Sequence, residues 1–211
     1  MPDIADRAAA LTVRAFVAVP RDPLWSESAR QFVETVRPTC PDSAWTRPSA
    51  WHLTLKFLGD APADSLETFA LRFAPAAAAV PAGALRPGGP IVFPPRGPAR
   101  VLGLGFARTR TLEDLEALAG AAETLARGLG LQREDRAFHP HATLARVRAP
   151  WPREAVDRFR RKAAEWTFPD FAVSACVLYG SRLAPGGAVH TPVAEWLFAR
   201  DGAGAGAGPL P

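Results

Sequence analysis

Cysteine is nearly missing from this chain. Only Cys40 and Cys176 occur in 211 residues, 176 − 40 = 136 positions apart, which excludes a disulfide framework and a paired C-x-x-C metal knuckle. Lysine is as scarce: of 25 basic residues only Lys56 and Lys162 are lysines, leaving 25 − 2 = 23 arginines. With 22 prolines and 17 glycines, that bias fits a GC-rich coding source. The net charge of +4 leans only weakly towards an anionic partner and does not by itself establish nucleic-acid binding. No stretch approaches the ~18 consecutive apolar residues of a membrane span. Met1 to Ala10 places Asp3 and Asp6 before Arg7, the wrong order for an export signal. A soluble, cytoplasmic protein without a membrane partner is expected. The length suits one domain, taken as residues 11–200, with a leader (1–10) and a flexible Gly/Ala tail (201–211).

Histidine is also rare, and that makes its placement informative. Of the four, His52 heads His52-Leu53-Thr54-Leu55 and His141 heads His141-Ala142-Thr143-Leu144, 141 − 52 = 89 residues later. Both phrases read as strands, in which alternate side chains share a face. His52 with Thr54, and His141 with Thr143, then stand opposite apolar anchors such as Leu53 and Leu144. Two such strands side by side give a cleft with two imidazoles and two hydroxyls, a set of parts for phosphoryl chemistry. A histidine pKa of about 6.5 allows one neutral and one protonated copy near pH 7, and a threonine hydroxyl can donate to a phosphate oxygen. Duplicated core packing without chemistry would produce the same repeat.

The rest of the chain reads as two similar halves. A strand over Leu11–Val19 precedes a helix that Pro38 ends, and the first His strand follows. Asp64 and Glu67 resemble a capping box for a helix through Phe73. Residues 75–98 read as a proline-broken loop with short extended pieces at 84–86 and 91–93. A strand over 100–106 leads to a helix over 111–128, capped by Thr111, and then to the second His strand. Pro152 opens a basic helix to about Trp166, whose arginine face reads as solvated rather than phosphate-binding. Two last strands, 171–179 and 193–198, flank a turn at 185–187. The expected fold is a duplicated, bilobed α+β architecture, with two antiparallel sheets flanking a central groove and helices outside.

These phrases, in this order, resemble the 2H phosphoesterase superfamily, and within it the RNA 2′,3′-cyclic phosphodiesterases, formerly called 2′-5′ RNA ligases. The likeness rests on Arg14–Val19, Trp51–Gly59, Ala99–Leu102, Phe138–Arg146 and Leu178–Leu183. It implies hydrolysis of an RNA 2′,3′-cyclic phosphate, or of a small cyclic nucleotide, to a 2′-phosphate, without metal or other cofactor; a monomer is expected. His52 would protonate the leaving 3′ oxygen, His141 would accept a proton from water, and Thr54 and Thr143 would hold phosphoryl oxygens. Arg146 stands where the family favours a phosphate-binding arginine, yet strict alternation puts it on the face opposite His141. Lys56 shares His52's face by the same rule, so it can neutralise a phosphate or simply face solvent. The chain departs from the family pattern at Gly103, where an aromatic is common, and at His190, where a tyrosine is common. Both positions are expected to lie clear of the four motif residues.

Rival readings remain at this level. His52, His139 and His141 could bind a metal, although no nearby carboxylate completes the set, and packing is the preferred role for His139. A non-catalytic RNA-end binding module, and 2′-5′ cleavage or joining, would use the same groove.

Overall fold

The 89-residue repeat extends beyond the two histidines. The computed structural model describes residues 12–134, 137–184 and 187–200; the expected leader, the tail and residues 185–186 of the expected turn lie outside the described residues. The chain runs β1 (Thr12–Pro20), α1 (Pro23–Val36), β2 (Ser43–Trp45), β3 (His52–Pro62), α2 (Ala63–Ala78), β4 (Gly83–Leu85) and β5 (Pro87–Phe93). The second half is β6 (Val101–Phe106), α3 (Arg110–Gly128), β7 (His141–Val147), α4 (Arg153–Glu165), β8 (Phe171–Val173), β9 (Ala175–Ala184) and β10 (Gly187–Leu197). Adding 89 to the first residues of β1, β3, β4 and β5 gives 12 + 89 = 101, 52 + 89 = 141, 83 + 89 = 172 and 87 + 89 = 176. These fall on β6, β7, β8 and β9.

The eight-stranded antiparallel sheet runs β10-β9-β1-β3-β7-β6-β5, with β2 also on β7, and β4 and β8 form a separate two-stranded sheet. At its middle, β3 and β7 are joined by one residue pair, Leu53 with Ala142. That seam divides the sheet into two lobes. Each half sends elements to both. The last strands of the second half, β9 and β10, extend the lobe of β1 and β3, while β5 of the first half pairs with β6. Helices α2 and α3 pack on the β3 lobe, and α1 and α4 lie over the other. Phe73 meets Trp196 of β10 at 5.0 Å, and Phe32 of α1 meets Phe159 of α4 at 6.0 Å. This is the expected bilobed α+β fold, with the two motif strands beside each other.

Several boundaries differ from the sequence reading, each for a local reason. Helix α2 runs through Pro75 to Ala78. The backbone bond that proline forfeits would have ended on Leu71, which is 79% exposed, so water can replace it. The same helix starts at Ala63 without a side-chain cap, and Asp64 instead accepts the Ser65 amide at 2.7 Å. Thr109, not Thr111, caps α3, accepting from the Leu112 amide at 3.3 Å. Strand β5 is continuous from Pro87, its Gly88 taken up by a register shift against β6, and β9 and β10 form a longer hairpin than expected.

Candidate active site

The antiparallel seam at Leu53 and Ala142 sets the register of the two motifs. Continued by one residue either way, it puts His52 across from Thr143 and Thr54 across from His141. All four side chains are half-buried, whereas Leu53, Ala142 and Leu144 are fully buried on the other face.

Each imidazole is fixed by the same device. His52 Nδ1 lies 2.8 Å from the carbonyl of Ala50, at the end of the short 3-10 turn Pro48–Ala50. His141 Nδ1 lies 2.6 Å from the carbonyl of His139. A carbonyl only accepts, so Nδ1 carries the proton in both rings, and each neutral imidazole presents the Nε2 lone pair. His139 itself is exposed and touches Phe93 at 5.7 Å. Its backbone orients His141, while its ring lies against Phe93.

Strand bulges then reverse the expectations for the two basic residues. On β3, Val17 pairs with Lys56 and Ala18 with Thr54, so Leu55 is an extra residue. On β7, Leu102 pairs with Ala145 and Gly103 with Thr143, so Leu144 is extra. The extra residue shifts the alternation by one, and both motifs share the burial pattern half, buried, half, buried, buried, exposed. Lys56 therefore turns away from His52 and is 4% exposed. Its ammonium meets Glu123 Oε2 at 2.9 Å and the carbonyls of Phe57 and Gln132, both at 2.6 Å. The expected role of Lys56 as a phosphate ligand is corrected by this geometry: its three donors are spent inside the fold. Arg146 moves the other way. The bulge returns it to the histidine face, exposed and without an ion pair among the described residues, and its charge bears on both imidazoles. The equivalent position in the first motif, 146 − 89 = 57, holds Phe57.

Burial controls the electrostatics. Desolvation holds His52 down at about 4, opposed by its bond to Ala50 and assisted by Arg146 and by the repulsion that His190 and His141 would exert on it when protonated. Burial also lowers His141, with Arg146 and His139 acting in the same direction. Both imidazoles are therefore neutral at pH 7, whereas the ordinary histidine value would let one be charged. The Thr54 and Thr143 hydroxyls make no hydrogen bond within the described residues. Among those residues, no group of three His, Cys, Asp or Glu side chains is placed to hold a metal ion.

Aromatic side chains flank both histidines. Phe16 lies 4.8 Å from the ring of His52 and 5.3 Å from that of Tyr179, and Phe57 adds to that wall. Phe93 stands 5.1 Å from His141. Sequence reasoning missed Phe16, Phe93 and Tyr179 because they come from β1, β5 and β9, and only the pairing of strands reveals the shared face. It also placed His190 clear of the motif. That is corrected: its ring is 5.4 Å from that of His52. Gly103, opposite Thr143, is tied to the site too, because an added Cβ would meet the Ala142 carbonyl oxygen at 2.6 Å. The basic face of α4 is apart from the groove: Arg153 and Arg160 pair with Asp157, and Arg158 donates to the carbonyl of Thr39.

Comparison with known proteins agrees with the fold. A solved phosphoesterase is 26% identical, superposes with a TM-score of 0.67, and the match covers 89% of this chain and 98% of that one. The protein TT0787 of Thermus thermophilus is 27% identical with a TM-score of 0.66, covering 87% and 97%. E. coli LigT in its apo form, 24% identical with a TM-score of 0.68 over 89% and 98%, shares the fold. No curated protein matches the chain. The model of the 2′-5′ RNA ligase superfamily matches residues 20–181. With both His-x-Thr strands inside that span, the chain belongs to the 2′-5′ RNA ligase superfamily, a family of 2H phosphoesterases.

Proposed function

We propose that this phosphoesterase hydrolyses the 2′,3′-cyclic phosphate at an RNA end, or of a small cyclic nucleotide, to a 2′-phosphomonoester, with His52 and His141 as general acid and base. The observation that carries the proposal is the matched pair of imidazoles. Each has Nδ1 locked on a backbone carbonyl two residues back, and they stand on either side of a single bridging pair. E. coli LigT has been crystallised with 3′-AMP and with phosphate, which supports a nucleotide phosphate as the ligand class.

In the reaction, Nε2 of His141 takes a proton from water as its oxygen attacks phosphorus. The bond from phosphorus to the ribose 3′ oxygen breaks, and Nε2–H of His52 supplies the proton to that oxygen. His52 must be charged beforehand. Burial holds it at about 4, and the negative phosphodiester raises it, because an opposite charge nearby favours the protonated form. Substrate binding thus brings the acid's proton with it. Thr54, Thr143 and Arg146 donate to the non-bridging oxygens, where negative charge builds. Proton exchange with solvent resets both rings.

The test is incubation of the purified protein, in a chelator, with RNA ending in a 2′,3′-cyclic phosphate, followed by identification of the hydroxyl that keeps the phosphate. His52→Ala and His141→Ala should each lower turnover by about 10²- to 10⁴-fold. Full activity in either variant refutes the acid–base pairing. Binding of the RNA end without turnover would make the groove a binding module.

A further inference from the structure

His190 is the remaining histidine, and the His-x-Thr motifs do not use it. It is carried on β10, opposite Ser181 of β9, in the strand farthest from β7 within the β3 lobe. Its ring nevertheless reaches Phe16 of β1. The His190 ring stands edge-on to Phe16 (4.9 Å, 83°) and to His52 (5.4 Å, 87°), and lies 6.2 Å from Tyr179.

Its two nitrogens are in unlike surroundings. Nδ1 is buried with no hydrogen-bond partner. Nε2 is not among the buried unpaired atoms and bonds to no described residue, so it opens to solvent. An orphaned buried N–H is rarer and costlier than an acceptor left unused, which places the proton on Nε2. His190 therefore presents a neutral N–H, whereas His52 and His141 present lone pairs. A fixed donor beside the acid, on one side of the groove only, breaks the pseudo-symmetry of the site.

We infer that His190 is a specificity-determining residue that donates through Nε2 to the nucleoside part of the substrate, favouring ribose-bearing cyclic phosphates over cyclic phosphates of simple diols. The inference rests on the phosphodiesterase reading, in which the ribose 3′ oxygen leaves on the His52 side and its sugar lies along the wall of His52, His190 and Tyr179. Thr54, Thr143 and Arg146 already surround the phosphate between β3 and β7, so a donor from the opposite edge of the lobe reaches what the phosphate is attached to.

Two variants test it. His190→Phe keeps a ring against Phe16 and removes the donor, and His190→Gln restores an N–H. Steady-state kinetics would compare a nucleoside 2′,3′-cyclic phosphate with the cyclic phosphate of 1,2-propanediol. The Phe variant should raise KM for the nucleoside substrate about 3- to 10-fold, the scale of one neutral hydrogen bond. Its loss on the diol substrate should be at least about threefold smaller, and the Gln variant should recover part of the nucleoside loss. Equal losses on both substrates, or an unchanged KM for the nucleoside substrate, overturn the inference. Calorimetric titration with a nucleoside 2′-monophosphate and with inorganic phosphate repeats the comparison without turnover. The Phe variant should weaken the nucleotide and not the phosphate; equal nucleotide affinity in wild type and variant, or no nucleotide binding by wild type, overturns it. Nucleotide binding by a wild type that hydrolyses no cyclic phosphate sinks the phosphodiesterase reading and leaves the His190 comparison readable.

Discussion

Lys56 and Glu123 distinguish a lysine that builds the fold from one that binds substrate. The Lys56 ammonium has three donors and meets three acceptors: Glu123 Oε2 at 2.9 Å and the carbonyls of Phe57 and Gln132 at 2.6 Å each. Its side chain is 2% exposed and that of Glu123 is 24% exposed, so the two truncations differ in cost. Glu123→Ala strands a buried ammonium. Removing one partner of a buried pair costs about 3–5 kcal/mol, and the partly open Glu123 end favours the lower figure, about 3 kcal/mol. Lys56→Met leaves two carbonyls and a carboxylate that can reach water, a loss of about 1–2 kcal/mol. The double variant Lys56→Met with Glu123→Leu has no charge left to strand and should be more stable than Glu123→Ala. For a chain of this size about 1 kcal/mol moves Tm by roughly 2–4 °C. Thermal melts should therefore place Glu123→Ala about 6–12 °C below wild type, with Lys56→Met between them. Well below every Tm, KM for a cyclic phosphate in Lys56→Met should stay within about twofold, since no phosphate contact is removed. A rise in KM of about tenfold with an unchanged melt would refute this reasoning and return Lys56 to the groove.

Three more outcomes follow from the site. The pH profile of kcat/KM, which reports the free enzyme, should lie to the acid side of the kcat profile, which reports the complex, because burial depresses both imidazoles until an anion binds; coincident profiles would contradict that coupling. In the unliganded protein the unfolded chain takes up a proton near pH 6.5, while folded His52 resists until about 4. Stability present at neutral pH is thus lost as pH falls, by about 2 kcal/mol at pH 5 from His52 alone; urea melts at pH 7.5 and pH 5 should show it, and the difference should shrink in His52→Gln. Gly103→Ala drives a Cβ into the Ala142 carbonyl, which should cost about 1–3 kcal/mol and displace His141 enough to lower kcat; a melt and a kcat both equal to wild type would show that β6 and β7 part freely.

Which residues could be placed from sequence depended on whether local spacing determines their position. The motif histidines and threonines lie close to the seam, before the bulges, so period-two alternation holds for them. Arg146 and Lys56 lie beyond the extra residues Leu144 and Leu55, and there alternation gives the wrong face for both. Nothing in Leu-Thr-Leu-Lys or Ala-Thr-Leu-Ala marks the bulge, because it is defined against the partner strand. The repeat itself offered a hint: a shift of 89 aligns Lys56 with Ala145, a residue suited to a core, and Arg146 with Phe57. His190, Phe16 and Phe93 depend on strand order, which the duplicated pattern implies only in outline. The helix in α2 survived its proline because the affected turn faces water, which the apolar pattern up to Phe73 did not reveal.

The exchange of strands and helices between lobes has a consequence for how the polypeptide can be divided. A cut between β5 and β6 would give two fragments of similar make-up, each with its own His-x-Thr strand, yet neither would own a finished lobe. The first would lack β9, β10 and the covering α3, and the second would lack β2, β5 and the covering α1. Such fragments would be complementary rather than self-sufficient. A gene split at that point would produce two chains that must find each other before either can present its histidine.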